Sequence, residues 1–421
     1  MRNYSILLTL LFSCILSQSD ALSLDKLVKV ALQNNNDAKI AEYQLDGAIA
    51  GRKGSFSSFL PSVNLSMNKS LTDDEYPLGY PSSDLSSSVS INQVLFDGAR
   101  SWFTNQNVKN SIETAELNYR YVKEAIVLEV KTAYYSYLST LEMEEVARLS
   151  LELADSQLEL VEQQFILQAV SESDLLKAKV RKGQAELLLI QYQKNVESAM
   201  NRLLISIGKT AGSAIQIQKD DIAMRPIPDF DSAKLTLFEK NTRIRSYENQ
   251  IDGAHIAYRT QLSVFFPTIS ISSNYSSSAD DWDELFDGFG SEGPTTSLNL
   301  SLPIFNGLSN KSRLDQLQFD VLKTEESLRS LNDQLVVELD NILTSLEATH
   351  RILAINRNIV ASAELDVKLA QERYRLGAID ILDVLNAQVS LIQTKSDDIR
   401  ATFEGKISEA QLDVLLGTEF E

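Results

Sequence analysis

The sequence predicts a mainly α-helical chain with a membrane β-barrel part, built from a helix–β-hairpin–helix unit that occurs twice. Three observations predict it. First, Gln163 to Ala178 (QQFILQAVSESDLLKA) returns as Gln371 to Ala387 (QERYRLGAIDILDVLNA), and Asp174 falls on Asp383, an offset of 209 in the numbering. The same offset carries Phe96-Asp97-Gly98 onto Phe305-Asn306-Gly307 and Gly208 onto Gly417, so one unit of about half the chain is duplicated. Second, the eight prolines and sixteen glycines gather in a few clusters, which leaves long uninterrupted intervals free to be helix. Third, four short stretches alternate apolar residues with Ser, Thr or Asn, the period of a strand with one wet face.

The stretch 1–21 reads as a secretory signal peptide: Arg2, an apolar run from Tyr4 to Leu16, then small residues. Cleavage is expected after Ala21, with Ser19 as the alternative. The sole cysteine, Cys14, lies inside this segment behind the bulky Phe12, a poor lipobox, so the mature chain is expected to carry no thiol or disulfide. The net charge of −19 argues against nucleic acid and against an anionic surface as partners. No second long apolar run exists, so any membrane crossing must be made by strands.

In chain order, a helix is expected from Ser23, a suitable N-cap, to about Ser55, ended by Phe59-Leu60-Pro61. A strand at about 61–69 sets Val63, Leu65 and Met67 against Ser62, Asn64, Ser66 and Asn68. A loop over Tyr76 to Asp84 leads to its mate at about 87–96, with Val89, Ile91 and Leu95 on one face. Gly98 to Ala169 has no proline or internal glycine and predicts a helix of about 105 Å, too long for a compact domain. A break at Val170 to Ser173 precedes a helix to Ile207. After a linker at 210–231, the second half repeats the plan with a helix from about Ser232, strands at about 267–275 and 296–305, a long helix Gly307 to Leu376, and a last helix Asp380 to Leu416. The organisation expected is therefore a signal peptide (1–21), a first repeat (22–209), the linker (210–231) and a second repeat (232–421).

In each half the two short helices add up to the length of the long one, so they are expected to lie along it end to end. Four strands cannot close a barrel, and an open edge is not tolerated in lipid. Two chains give eight strands, which side chains fill; three give twelve and leave a pore, so a homotrimer is expected.

These residues resemble the TolC-type outer-membrane channels of bacterial efflux and type I secretion. The resemblance covers essentially the whole mature chain, most specifically in the echoed motifs and the duplicated helix–hairpin–helix plan. It implies a trimeric 12-stranded β-barrel joined to a long periplasmic α-helical barrel, with an entrance at the far end built by helix-turn-helix tips. It also implies a passive conduit in contact with outer-membrane lipid and energised by an inner-membrane transporter through a periplasmic adaptor (membrane fusion) protein. By motif match, Asp383 corresponds to a pore-constricting aspartate ring. Asn386 stands where a further acidic residue is found, so a second charged ring is not expected. Tyr374 corresponds to a gate tyrosine and Asp174 to the aspartate it bonds. Ile379 replaces a basic residue, which removes one gate ion pair. The turns Gln168-Ala169 and Gly377-Ala378 correspond to adaptor-docking points.

Simpler readings stand beside these. Asp174 and Asp383 also read as N-terminal caps, and Gly377 as the positive-φ residue of an ordinary helix–helix turn. Asp280, Asp281, Asp283, Glu284 and Asp287 read as a solvated loop, because their spacing is not that of a calcium loop. No enzyme, cofactor or metal site is expected: Gly208-Lys209-Thr210 lacks the first glycine of a phosphate loop, with Leu203 in its place, and His255 and His350 are isolated. The alternative function is a trimeric adhesin or scaffold with a coiled-coil stalk. The cargo, whether drug, metal or secreted protein, is not legible.

Overall fold

The computed structural model describes residues 22–71, 83–213, 215–219, 222–279, 282–287 and 293–418. The expected signal peptide with Cys14, and Asp280 and Asp281, lie outside the described residues. The elements are α1 (Leu24–Asn34), α2 (Asn36–Gly54), β1 (Ser62–Leu71), β2 (Ser83–Phe96), α3 (Arg100–Ile166), α4 (Glu172–Ser206), α5 (Phe230–Lys240), α6 (Thr242–Leu262), β3 (Thr268–Ala279), α7 (Trp282–Asp287), β4 (Thr295–Ser301), α8 (Ser309–Arg375) and α9 (Ile381–Leu416). None of the described helices is long and apolar enough to cross a membrane.

The duplication holds at single-residue precision in the backbone. Among the described residues, every non-glycine residue with positive φ sits at an echoed position, Gln168 against Gly377 and Ala99 against Leu308, and Gly98 and Gly208 match Gly307 and Gly417. These pairs share the offset of the two aspartates, as do α3 and α8. Ahead of the hairpins the offset is 206, measured from the starts of α1, α2 and β1 to those of α5, α6 and β3. The second hairpin is therefore the longer one, by the difference between the two offsets.

Packing divides the described residues into two compact units, each drawing on both repeats. One contains the stretches up to Asn35, Ile126–Ile227 and Ser345–Gln411; the other contains Asn36–Ala125, Pro228–Thr344 and the stretch from Leu412. In the first unit, the linker is tied down. Leu22 and Gln218 bond across a short bridge, the Tyr134 hydroxyl donates to the Gln218 carbonyl at 2.8 Å, and Lys406 donates to the Ala223 carbonyl at 2.6 Å and to Glu409 at 2.9 Å. In the second, buried Glu124 accepts from the Thr242 hydroxyl at 2.6 Å and pairs with Arg120 at 3.1 Å, and Arg120 also donates to the Gly417 carbonyl. A buried carboxylate is tolerated because these donors replace its water.

The expected continuous helix from Ser23 to Ser55 is instead broken at Asn35, and its counterpart at Asn241; both residues are extended, with ψ near 133° and 123°. Two glycines lie against these breaks. A Cβ on Gly208 (φ +73°) would stand 2.9 Å from the Asn34 carbonyl carbon, and one on Gly417 (φ +70°) would stand 2.6 Å from the Lys240 oxygen. The chain passes so close only because these positions lack a side chain. At the second break Asn241 caps α6 through Arg243 and Ile244 and donates to the Leu415 carbonyl at 2.8 Å.

The strands form one antiparallel sheet in the order β1-β2-β3-β4, with β1 and β4 at its edges. Val63 pairs with Ile91, Leu65 with Val89, Ile271 with Leu298 and Ile269 with Leu300, which collects an apolar face. The other face is polar: the hydroxyls of Ser66 and Ser88 bond at 2.7 Å, and Asn299 donates to Ser272 at 3.2 Å. A bulge between Val94 and Phe96 turns Phe96, not Leu95 as expected, toward Ile269. β2 begins at Ser83 and β3 continues to Ala279, both longer than expected, whereas β4 ends at Ser301 and not near 305. Pro303 supplies no N–H to extend it. The acidic segment is not an open loop throughout: Asp283, Glu284 and Asp287 lie on α7, whose buried Leu285 faces the sheet beside β2 and β3. α5 starts at Phe230, capped by Asp229, two residues ahead of the expected Ser232.

Candidate functional site: the paired helix-turn-helix tips

The α3–α4 and α8–α9 turns are built alike. After each long helix, a residue in the left-handed region reverses the chain: Gln168 at φ +57° and Gly377 at φ +73°. Ala169 donates to the Gln164 carbonyl at 2.9 Å and Ala378 to the Arg373 carbonyl at 2.8 Å, while Gln168 and Gly377 close the inner bonds to Phe165 and Tyr374. Both are Schellman ends, so the backbone geometry does not depend on which residue occupies the turn.

One apolar cluster joins the two hairpins. Val161 and Ala178 from the first meet Val367, Ala370, Tyr374, Ile381, Val384 and Leu391 from the second. Val170 and Ile379 pack against this cluster, so Ile379, where a basic residue is found in the resemblance, works as a packing residue. Each hairpin also carries an ion pair between its own helices. Lys182 meets Asp155 at 2.8 Å and Lys395 meets Glu364 at 2.5 Å; Lys395 holds the Glu364 carboxyl below its ordinary range. These clasps escaped the sequence reading, although Asp155 and Glu364 are themselves related by the repeat offset.

The expected site residues fall into two groups. Asp383 and Asn386 are exposed on the first turns of α9, and no described hydrogen bond or ion pair uses the Asp383 carboxylate. Gln168, Ala169, Gly377 and Ala378 are exposed at the turns. Asp174 is partly buried and Tyr374 is buried.

Neither aspartate is an N-cap. Ser171 caps α4, and Asp174 is the third helical residue of a capping box: Ser171 Oγ accepts from the Asp174 amide at 3.2 Å and donates to its carboxylate at 2.7 Å. Lys177 adds a contact at 3.1 Å. The Ser171 bond, then Lys177, hold the Asp174 carboxyl below its ordinary range. On α9 the capping position belongs to Asp380, whose side chain accepts from the Leu382 amide at 3.2 Å and whose carbonyl accepts from Asp383. Asp383 is left with the field of the helix N-terminus.

The Tyr374–Asp174 hydrogen bond implied by the resemblance is not made. Tyr374 is 6 % exposed, and its hydroxyl has no hydrogen-bond partner. Burial raises its pKa, with smaller contributions from the charges of Asp174 and Asp380, so the two side chains are close without bonding. The Asp174 oxygens are committed to Ser171 and Lys177. Among the described residues no group of three His, Cys, Asp or Glu is placed to hold a metal ion.

Comparison with known proteins agrees with this architecture. The family model for outer membrane efflux proteins matches twice, at residues 27–209 and 236–418. The chain is 26 % identical over 407 residues to the solvent efflux pump outer membrane protein SrpC of Pseudomonas putida, covering 94 % of this chain and 85 % of that one. It is 23 % identical over 413 residues to the cation efflux system protein CusC of Escherichia coli O157:H7, covering 93 % and 85 %. A crystal structure of CusC superposes with a TM-score of 0.85 at 20 % identity over 94 % of this chain and 92 % of that one. The outer membrane protein VceC of Vibrio cholerae does so with a TM-score of 0.82 at 19 % identity, over 94 % and 97 %. The chain belongs to the outer membrane efflux protein family and is an outer-membrane efflux channel.

Proposed function

We propose that three copies of the chain close a twelve-stranded barrel and act as a passive exit duct, recruited through a periplasmic adaptor by an energised inner-membrane transporter. The sheet supports the trimer, because its two edge strands need partners in lipid and twelve strands leave a pore where eight do not. The exposed turns Gln168-Ala169 and Gly377-Ala378 are the adaptor-docking points in this reading.

Asp383 forms the constriction, with Asn386 one turn further on as its uncharged neighbour. The observation that carries this assignment is the difference between the two aspartates: Asp174 is bonded within its own hairpin, and Asp383 is exposed without a partner among the described residues. Asp174 and Tyr374 brace the gate from inside and do not line it. Three Asp383 carboxylates around an axis attract cations.

Reversal potentials of the purified protein in planar bilayers test both parts. The wild type is expected to conduct with cation preference and to be blocked by multivalent cations, and Asp383→Ala is expected to lose both. Absence of a channel supports an adhesin or scaffold instead. A channel with unchanged preference in Asp383→Ala removes Asp383 from the constriction.

A further inference from the structure

One groove in the second compact unit collects charged side chains that the fold does not use. It lies between α3 and α6, encloses about 400 Å³, and is lined by Lys109 and Glu113 from the first helix and by Asp252, His255 and Arg259 from the second. No hydrogen bond or ion pair among the described residues engages any of these five side chains. Farther along the same helices charges do pair, Arg120 with Glu124 at 3.1 Å and Arg243 with Glu338 at 3.4 Å. Nor does the architecture require charge at the groove. The counterparts of Lys109, Glu113 and His255 in the other repeat are Gln318, Leu322 and Ile49.

The groove opens on the side of α3 that carries Trp102. Trp102, Lys109, Glu113 and Glu116 follow one exposed stripe of that helix, and Thr104, Asn107, Ser111 and Asn118 follow the opposite one. Small uncharged polar residues suit the wet side of a tube wall, whereas a tryptophan with charges beside it suits the side that meets a bilayer boundary. The level is set by two contacts. Gly98 lies against Ser263 and Asn110 donates to the Asn249 carbonyl at 2.8 Å, so the two helices run antiparallel and Arg259 stands level with Trp102, close to the sheet. Side chains lean toward the N-terminus of their own helix, which carries Lys109 toward the sheet and Arg259 away from it, both toward the level of His255. Asp252, leaning away from the sheet, and Glu113 lie beyond them.

We infer that this groove holds the phosphoethanolamine headgroup of a lipid in the leaflet on the helical side of the sheet. Arg259, Lys109 and His255 donate to the phosphate oxygens, and Asp252 and Glu113 accept from the ammonium. The order of charges matches the order of groups in such a lipid: the phosphate sits next to the hydrocarbon, where the cations converge, and the ammonium reaches past it toward the carboxylates. A simple anion would leave both carboxylates beside it unanswered, and three cationic or titratable donors disfavour a bare cation. Among the described residues no group of three His, Cys, Asp or Glu is placed to hold a metal ion. Trp102, exposed at the level of Arg259, is of the type that settles among headgroups. The placement of the sheet in the bilayer is taken from the proposed duct; the headgroup site is additional to it.

Native mass spectrometry of the purified, delipidated protein tests the site, with phosphatidylethanolamine, phosphatidylcholine and phosphatidylglycerol added in turn. Phosphatidylethanolamine is expected to saturate one site per chain and to bind more tightly than the other two, because choline has no N–H to donate and glycerol carries no positive charge. Lys109→Gln with Arg259→Gln is expected to weaken it by at least about tenfold. Asp252→Asn with Glu113→Gln is expected to keep a lipid phosphate and to erase the preference among headgroups. Arg243→Gln, which breaks an ion pair elsewhere on α6, is expected to change neither. Equal affinity for the three lipids overturns the inference, as does unchanged affinity in the Lys109 and Arg259 double variant. The headgroup comparison is made on the wild type, so a variant that fails to fold leaves the test in force. Displacement of the lipid by an equimolar amount of free glycerophosphoethanolamine would mark a site for a soluble ligand and overturn the lipid assignment. Currents in phosphatidylcholine bilayers separate the two proposals: a conducting channel without the headgroup preference retires the site alone, and the preference without current retires the duct alone.

Discussion

The two turns at the tips share one backbone and differ in what their aspartates do. In the first, Asp174 is bonded to Ser171 and Lys177, and the left-handed position is held by Gln168. In the second, Asp380 performs the capping, Gly377 takes the left-handed position, and Asp383 projects without a partner among the described residues. A duplicated unit can thus keep its shape while one copy's charge serves folding and the other's faces solvent. Motif correspondence aligns the two aspartates and cannot tell them apart; the residue three places earlier, Ser171 against Asp380, does.

The largest effect that tests this contrast is on stability at the first tip. Asp174→Ala should lower unfolding free energy by about 1 to 2 kcal/mol through loss of the capping box, and Asp383→Ala by only a few tenths, as judged by denaturant midpoints. The Asp174 carboxyl is held low, so its contribution is complete above the ordinary carboxylate range and disappears as pH falls through the depressed folded value. The gap between the two variants should therefore close in acid. Equal losses near neutrality would show that the two aspartates do the same work.

A somewhat smaller effect concerns the turns. Gly377→Ala forces a Cβ into the left-handed region and should cost about 1 kcal/mol, whereas Gln168→Gly should gain a few tenths. Opposite signs in paired melts would confirm that the first turn tolerates strain which the second avoids; a loss in both would point to a specific contact of the Gln168 side chain.

The smallest effect is at Tyr374. Its hydroxyl is buried and unbonded, so Tyr374→Phe should leave stability unchanged or raise it by up to about 1 kcal/mol. It should also leave resting conductance as in the wild type. A marked loss of stability or an increased leak would show that the hydroxyl does bond across to Asp174.

Much of the fold was legible because it follows from period and punctuation. The long helices run without breakers from end to end, the strands alternate, and Gly208, Gly377 and Gly417 mark helix ends. The breaks at Asn35 and Asn241 were not read from the sequence: an asparagine in a helical pattern signals a cap only weakly, and the chain that lies against each break, at Gly208 and Gly417, is far along the sequence. The bulge at Leu95 escaped for a similar reason, since register is set by the partner strand. At the tips, spacing located the aspartates but not their partners. The Ser171-to-Asp174 spacing is that of a capping box, a signal the alignment of the two aspartates passes over.

The unequal hairpins and the open sheet edges also bear on how the protein is made. A lone chain exposes two rows of unpaired strand amides and carbonyls, which hydrocarbon does not accept. In the proposed trimer, copies would therefore meet before or during entry into the bilayer, and the rate of insertion is expected to rise steeply with local supply of new chains. On the same proposal, a chain that arrives without siblings is expected to stay on the aqueous side, so that the yield of inserted channel is set at encounter and not at folding of the individual polypeptide.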